Sequence, residues 1–329
     1  MQKAGATLAK LAQALAAAAL IAATTLAAAQ AQFPTKPIRI ISPFAAGGGS
    51  DTITRLVAQK ITADTGKPTI VENRAGAGGR IGYDAVAKSA PDGYTLAVTD
   101  TTYTMLPALS ASLPWDQAND LVAVATMAQT PFVVMVSPSL QITTLRQLID
   151  YAKQNPEKIN YGSAGNGSVN HVATELFRRE TGIRMTHVPY KGMGDAVAGL
   201  LSGSVQLLIH TVPGGTPFIT GGKAVGLAVM ATSRSAALPN VPSTAEAGSP
   251  QLLAGNWFGL TAPKGTPHEA IVWLNSEVGK ALASSAIQER LAAQGATPMI
   301  RTPAQFGALI RDDTQRWGAI IKSANIPAE

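Results

Sequence analysis

Short apolar runs alternate with amphipathic segments from residue 38 onward. Residues 38–42 (IRIIS), 68–73 (PTIVEN) and 94–100 (YTLAVTD) are rich in β-branched side chains and predict strands. Between them, residues 51–66 and 83–90 have a helical pattern, and each ends at a glycine or proline turn. This alternation predicts an α/β fold with a largely parallel sheet.

The pattern changes after residue 120. A long β-rich run at 121–139 is interrupted by Pro131, and a second β-rich run with prolines follows at 256–267. Between and after these runs the α/β rhythm returns. It predicts further strands near 159–163, 185–192, 205–211 and 225–232, and helices at 144–156, 168–182, 195–203, 268–284, 287–295 and 303–324.

The two β-rich runs indicate that the chain passes twice between two lobes. We therefore expect lobe 1 to comprise residues 32–130 plus 255–329, and lobe 2 residues 131–254. Lobes joined by two strands can hinge and enclose a cleft. One larger domain is the alternative, which the length of the chain disfavours.

The N-terminus has the pattern of a secretory signal peptide. Lys3 and Lys10 precede an apolar Ala/Leu stretch, and Ala29-Gln30-Ala31 matches a small-residue cleavage site. Residues 1–31 are therefore predicted to be removed on export. A membrane anchor is the alternative, which the cleavage motif disfavours.

Composition narrows the function classes further. The chain has no cysteine, which excludes thiol nucleophiles, Cys-ligated zinc and iron–sulfur clusters. Its formal charge of +6 falls to +4 without the two lysines of the signal peptide, and the basic residues form no patch of the kind that binds nucleic acid. The four histidines lack metal-ligand spacing, so no metal is expected. A mild positive balance suits a small anionic ligand.

Two strand–glycine loop–helix units carry the candidate chemistry. Residues 42–51 (SPFAAGGGSD) precede one predicted helix, with Ser50 or Asp51 as its N-cap, and residues 162–168 (GSAGNGS) precede another. The start of a helix offers unpaired N–H groups and positive partial charge, and glycines let a ligand approach that backbone. One loop in each predicted lobe makes two anion sites facing across a cleft, which suits a dicarboxylate or a carboxylate with a polar tail.

Other chemistry has weaker support. The glycines of 76–82 do not match the dinucleotide-binding fingerprint G-x-G-x-x-G, because Ile81 stands at the position of its last glycine. Close packing is the simpler explanation for these glycines. A catalytic triad could be assembled from Ser163, His171 and Asp195, but nothing in their spacing requires it. The hydrolase motif G-x-S-x-G is also absent. We therefore expect neither an enzyme nor a cofactor. An exported α/β hydrolase remains one alternative, and a sensor that signals to a membrane kinase is another.

The motif set resembles the Bug-type solute-binding proteins of tripartite tricarboxylate transporters. The resemblance rests on PIRIISPFAAGGGSDTITRLVA, VENRAGAGGRIGYDAVAKSAPDGYTL, NYGSAGNGSVNHVATELF, HVPYKGMGDAVAGLLSGSVQ and LPNVPSTAEAG with NWFGLTAPKGTP, in the family's order. It implies a periplasmic, two-lobed receptor with the Venus flytrap fold, which binds a small organic acid and presents it to membrane permease subunits. We expect such a receptor to be a monomer.

The resemblance also implies the ligand contacts. The first-lobe loop and a facing second-lobe loop hold the carboxylate, and residues at two strand ends set specificity. The residues implied are Phe44, Ala45, Ala46, Gly47, Gly48, Asp51, Thr101, Ser163, Ala164, Gly165, Gly167, Ser168, His171 and Thr211. For Asp51 we prefer a role in capping the helix and ordering the loop, since its carboxylate would repel a bound anion. The segment HTVPGGTPFITGGKAVGLAV departs from the family pattern, with an added Gly214-Gly215.

Overall fold

A mixed β-sheet organises the part of the chain that the computed structural model describes, which is residues 33–44, 46 and 49–328. The predicted signal peptide lies outside these residues. The strands are β1 Ile38–Ser42, β2 Thr69–Asn73, β3 Thr95–Asp100, β4 Leu121–Val136, β5 Asn160–Ser163, β6 Thr186–Pro189, β7 Leu207–Thr211, β8 Val225–Val229, β9 Gly255–Pro263 and β10 Thr297–Pro298.

Helices connect the strands of the unit formed by residues 37–329. They are α1 Gly49–Thr65, α2 Arg80–Ala87, α3 Thr101–Leu109, α4 Leu145–Gln154, α5 Val169–Thr181, α6 Met193–Ser202, α7 Val212–Thr220, α8 His268–Ala283, α9 Ser285–Ala293 and α10 Pro303–Ser323. Short 3-10 turns lie at Ala77–Gly79 and Pro138–Leu140. The predicted α/β fold is confirmed.

The strand order of the sheet is β2-β1-β3-β9-β4-β7-β5-β6, with β8 and β10 also paired to β4. β1 runs parallel to β2 and β3, and β5 runs parallel to β6 and β7. β4 connects the two parallel groups, because its first part pairs with β9 and its last five residues pair with β7. The long β-rich run of the sequence is thus one strand that continues through Pro131. This proline lacks an N–H and lies where the pairing of β4 changes from β9 to β7.

Local sequence explains most helix boundaries. In α1 the buried Ile53, Leu56, Val57 and Ile61 follow helical spacing, and Gly66 ends the helix with a positive φ of 67°. Thr144 caps α4 and forms a capping box with Gln147, as its sequence indicates.

Three expectations about helices are wrong. α1 begins at Gly49, so Ser50 and Asp51 lie in its first turn and neither is the N-cap. The sequence also did not predict α3 or α7 as helices, because α3 contains Pro107 and α7 contains two prolines and Gly214-Gly215. Both helices nevertheless form because caps start them. Asp100 accepts a hydrogen bond from the Thr102 N–H, and Thr211 accepts one from the Gly214 N–H.

The largest hydrophobic cluster combines distant parts of the chain. It contains Phe132 of β4, Phe177 of α5 and Leu252, together with Trp317 and Ile320 of α10. The C-terminal helix therefore packs against the same core as the strands and helices that carry the second glycine loop. Within the described residues, no helix is both long and apolar enough to cross a membrane.

Candidate functional site

The carboxyl ends of two parallel groups of strands meet at β4. Asp100 at the end of β3 pairs with Phe258, which pairs with Ala128 of β4. Thr211 at the end of β7 pairs with Phe132 of the same strand. These positions on β4 are four residues apart, or about 13 Å along the strand. Ligands bind at the carboxyl ends of strands in open α/β sheets, so this junction is the candidate site.

The first glycine loop follows β1 at this junction, and its described residues are anchored by Asn73. The Asn73 side chain donates to the Phe44 carbonyl at 3.0 Å and to Asp51 Oδ1 at 2.8 Å. Arg55 Nε lies 3.0 Å from both oxygens of the same carboxylate. Asp51 therefore orders the loop through Asn73, although it does not cap the helix. Ala45, Gly47 and Gly48 lie outside the described residues, and Ala46 is exposed.

Two buried hydroxyl groups flank this loop. Ser42 Oγ at the end of β1 and Ser50 Oγ in the first turn of α1 have no hydrogen-bond partner among the described residues. A buried hydroxyl left unpaired costs about 1–3 kcal/mol, so such groups mark places where a ligand or water completes the network. Sequence reasoning missed Ser42 and treated Ser50 only as a cap.

The third glycine stretch packs beneath the first loop. A Cβ atom at Gly82 would lie 2.8 Å from the Pro43 Cα, and one at Gly79 would lie 2.9 Å from the Tyr83 ring. Gly79 also has a φ of 95°, which favours glycine. Close packing against Pro43 therefore accounts for these glycines.

The second glycine loop follows β5 and folds back on Ser163. Ser163 Oγ accepts from the Gly165 N–H at 3.2 Å and donates to the Gly165 carbonyl at 3.1 Å. Ser168 caps α5 by accepting from the His171 N–H, and its own N–H donates to the Gly165 carbonyl. Several polar groups of the loop are therefore hydrogen-bonded within the loop itself. The N–H and the carbonyl of Gly165 are among them and are not open to a ligand.

The other amides of this loop differ in whether they already have a hydrogen-bond partner. The Gly167 N–H donates to His171 Nδ1 at 3.1 Å, so it is engaged as well. In the described part of the chain, no hydrogen bond is formed by the N–H groups of Ala164 and Asn166, and Asn166 is exposed. Together with the first N–H groups of α5, these two amides are the donors available to an anion.

Three stacked rings support this loop. His187 of β6 stacks on His171 with centroids 3.8 Å apart and on Tyr161 with centroids 4.8 Å apart. His187 Nε2 lies 2.7 Å from Ser163 Oγ. Sequence reasoning missed His187, although β5 and β6 place it directly opposite Tyr161. It also paired Ser163 with His171 in the hypothetical triad, whereas the hydroxyl contacts His187.

A partly buried ion pair lies beside the stack. Glu175 accepts hydrogen bonds from the Tyr161 hydroxyl and, at 2.6 Å, from Arg178 Nη1. His171 Nε2 lies 3.9 Å from the same carboxylate oxygen. Burial lowers the pKa of His171, and burial together with the neighbouring His171 lowers the pKa of His187 to about 4. Both rings are therefore neutral near pH 7.

The two specificity candidates at strand ends have structural partners. Thr101 is fully buried; its hydroxyl lies 3.4 Å from the Gly255 carbonyl and accepts from the Trp257 N–H at 3.2 Å. Thr211 is half-buried and caps α7. Thr101 thus fixes β3 to the start of β9, and Thr211 is the better placed of the two to meet a ligand.

A cavity of about 530 Å³ lies beside the same strands. Its walls come from 129–131 of β4, 254–257 around the start of β9, the segment 230–236 and the helix α10. Arg301 and Arg316 give it positive charge, while Trp257 Nε1 donates to Asp313 Oδ2 at 2.6 Å. Among the described residues, no three His, Asp or Glu side chains come together as metal ligands.

Histidine burial predicts that the protein loses stability in mild acid. Burial lowers the pKa of His210 to about 4, as for His187, so between pH 6.5 and 4 the unfolded chain binds protons that the native state does not. Asp100 and Asp313 oppose this, because burial raises the pKa of both carboxyls, that of Asp100 to about 6, and the native state then holds the extra protons. With His171 included, the histidines of lowered pKa outnumber these two carboxyls, so we expect the unfolding free energy to fall by about 1–3 kcal/mol from pH 7 to pH 5.

Denaturant unfolding at the two pH values measures this loss. His210→Asn should make it smaller, and Asp100→Asn should make it larger. Equal stability at pH 7 and pH 5 in the unsubstituted protein would contradict the assignment.

Comparison with known proteins places these features in a family. Residues 53–326 match the model of the tripartite tricarboxylate transporter family receptor. The protein BugT of Bordetella pertussis is 41% identical over 292 residues, covering 88% of this chain and 90% of that protein.

Solved structures at 30% identity or more share the fold. The structure of Rpa4515 of R. palustris with adipate is 33% identical with a TM-score of 0.79, covering 90% of this chain and 100% of that one. The structure of MatC from Rhodopseudomonas palustris with bound malate is 30% identical with a TM-score of 0.73, covering 88% and 100%. Both relatives have dicarboxylates in their structures.

Proposed function

This chain belongs to the tripartite tricarboxylate transporter receptor family, and on that premise we propose that it captures a small dicarboxylate at the junction of its two glycine loops. One observation supports the proposal above the others. The two strand–glycine loop–helix units follow β1 and β5, which lie parallel to and beside β3 and β7, and the carboxyl ends of β3 and β7 meet at β4. A ligand with an anionic group at each end fits a site with donors on two sides.

The donors differ between the two sides. On the first side they are the hydroxyls of Ser42 and Ser50 and the start of α1, and on the second side they are the amides of Ala164 and Asn166 and the start of α5. Hydrogen bonds to a charged carboxylate contribute about 1.5–3 kcal/mol each. The adipate and malate in the related structures make diacids of four to six carbons the first ligands to test.

The capture mechanism is closure of two lobes. Lobe 1 comprises 32–130 plus 255–329, and lobe 2 comprises 131–254. The open form prevails without ligand, and a diacid that contacts both loops stabilises the closed form because only that form completes both sets of hydrogen bonds.

Membership of the family supports the cellular role that we propose. The protein acts in the periplasm as a monomer, after removal of residues 1–31, and passes its ligand to the permease subunits of the transporter. It acts without a cofactor and without turning its ligand over. Ser163 supports this view, since its hydroxyl donates its proton to the Gly165 carbonyl and is therefore not arranged to give it up to His187 as a nucleophile would.

A thermal-shift screen of the purified exported protein tests this function. Malate, succinate, adipate and citrate form one group of ligands, and aromatic carboxylates and acidic amino acids form others. A ligand at 100 times its dissociation constant adds about 2.7 kcal/mol of stability, which corresponds to a rise in melting temperature of several degrees. We expect a selective rise with one diacid.

The control ligands are the corresponding diamides and monoacids, which should produce a smaller rise. If no carboxylate changes the melting temperature, or if diacid and diamide act equally, the dicarboxylate proposal is wrong. Release of alcohol from esters of the same acids would instead support a hydrolase.

A further inference from the structure

The shape of the second glycine loop depends on two histidine rings, one at each end. At the start of the loop, Ser163 Oγ contacts the Gly165 N–H, the Gly165 carbonyl and His187 Nε2. At the end of the loop, the Gly167 N–H contacts His171 Nδ1. Ala164 and Asn166 lie between these anchored points, so the anchors set the direction of their amides.

The hydrogen bonds of Ser163 fix the tautomer of His187. A serine hydroxyl has one proton to donate and two lone pairs that accept. The proton goes to the Gly165 carbonyl, and one lone pair accepts from the Gly165 N–H. The second lone pair must then accept from His187, so Nε2 of this ring bears the proton.

His171 is fixed by the same reasoning. Its Nδ1 accepts from the Gly167 N–H and therefore has no proton, so its Nε2 bears the proton and lies 3.9 Å from Glu175. The two rings stack with an angle of 14° between their planes, and Tyr161 stacks on His187 with an angle of 18°. Packing thus restricts rotation of both imidazoles.

We propose that His187 is a positioning residue for ligand binding: its Nε2–H holds Ser163 Oγ in place, which directs the amides of Ala164 and Asn166 toward the ligand carboxylate. His171 acts in the same way on Gly167. This inference rests on the proposed function, because it names the group that orients the second-side donors. His187 itself does not contact the ligand.

Two substitutions separate positioning from packing. His187→Phe keeps an aromatic ring in the stack and removes the donor, whereas His187→Gln restores an N–H near the position of Nε2. Loss of the donor should raise the dissociation constant for adipate or malate by about tenfold or more, the equivalent of one hydrogen bond. The glutamine variant should stay within about threefold of the unsubstituted protein.

A matched control and a second readout complete the test. His268→Phe alters an exposed histidine at the start of α8 and should leave binding unchanged. Imidazole ¹⁵N spectra of the ligand-free protein should show Nε2–H and a bare Nδ1 for both His187 and His171. Amide exchange at Gly165 should be faster in His187→Phe than in His187→Gln.

The outcomes are distinguishable. An Nδ1–H tautomer at His187, unchanged affinity in His187→Phe, or equal loss in both variants would overturn the positioning role. If the unsubstituted protein binds no carboxylate, the proposed function fails, and the imidazole spectra and Gly165 exchange still decide whether His187 holds the loop. If His187→Phe does not fold, the tautomer of His187 in the unsubstituted protein and the affinity of His187→Gln for the diacid decide whether His187 has the positioning role.

Discussion

Replacing Gly165 by valine will weaken diacid binding by about 100-fold, the largest loss of affinity that we expect from one substitution. Gly165 has a φ of 116°, a conformation that a β-branched residue does not adopt. A Cβ atom there would also lie 3.3 Å from the Tyr190 carbonyl. The loop must therefore refold around Ser163, and the Ala164 and Asn166 amides turn away from the ligand.

The magnitude follows from the number of donors displaced. Two amide hydrogen bonds to a carboxylate contribute about 1.5–3 kcal/mol each. Losing both raises the dissociation constant by about 100-fold or more unless other donors compensate. Titration calorimetry with the diacid selected by the thermal-shift screen measures the change.

Gly182 provides the matched control for this substitution. It lies at the C-terminal end of α5, whereas the second glycine loop lies at the N-terminal end of the same helix. Gly182 has a φ of 68°, with no atom within 4 Å of an added Cβ. Gly182→Val should lower stability by about 1–2 kcal/mol and leave affinity unchanged. If Gly165→Val binds the diacid as tightly as the Gly182→Val control, the second loop does not hold the ligand.

Gly255→Ala will give the second large effect, a loss of about 2–3 kcal/mol in the free energy of unfolding. Gly255 begins β9 and pairs with Pro131 of β4. A Cβ atom would lie 2.6 Å from the Thr130 carbonyl oxygen and 3.0 Å from the Pro131 Cα. Both neighbours belong to the backbone, so no side-chain rotation relieves the clash and the two strands must separate.

Separation of these strands also disturbs their neighbours. The Phe132 N–H donates to the Ala254 carbonyl at 3.0 Å, and the Thr101 hydroxyl contacts the Gly255 carbonyl. The substitution should therefore weaken diacid binding as well as stability, because it alters the place where β3, β4 and β9 meet.

Gly194→Ala is the control for Gly255→Ala. Gly194 lies in α6 with no atom within 4 Å of an added Cβ, so alanine there should raise stability by about 0.5–1 kcal/mol. Denaturant unfolding of the three proteins measures the effect. Equal stability of Gly255→Ala and the unsubstituted protein would show that β4 and β9 move apart without cost.

Periodicity predicted much of the fold. β1, β3 and β7 and helices α1, α4 and α5 formed close to their expected bounds, because each has a regular apolar face and clear end signals. α3 and α7 were missed because Pro107 and the Gly214-Gly215 pair have low helix propensity, and their local sequence therefore does not indicate a helix. The caps Asp100 and Thr211 start these helices in the folded chain.

The candidate site was predictable as two loops but not in its hydrogen bonds. Sequence identified Ser163, Gly165 and His171, yet which amides are engaged depends on His187, which reaches the loop through pairing of β5 and β6. The unpaired hydroxyl of Ser42 among the described residues is likewise a property of burial and neighbours, which spacing along the chain does not encode. All of the ligand contacts stay predictions, and Ala45, Gly47 and Gly48 also lie outside the described residues.

A crystal structure of the protein with the selected diacid would show directly whether the two glycine loops hold it. We expect one carboxylate within hydrogen-bond distance of Ser42 or Ser50 and the start of α1, and the other on the amides of Ala164 and Asn166. A diacid bound through one loop alone, or in the cavity beside Arg301 and Arg316, would contradict capture between the two glycine loops.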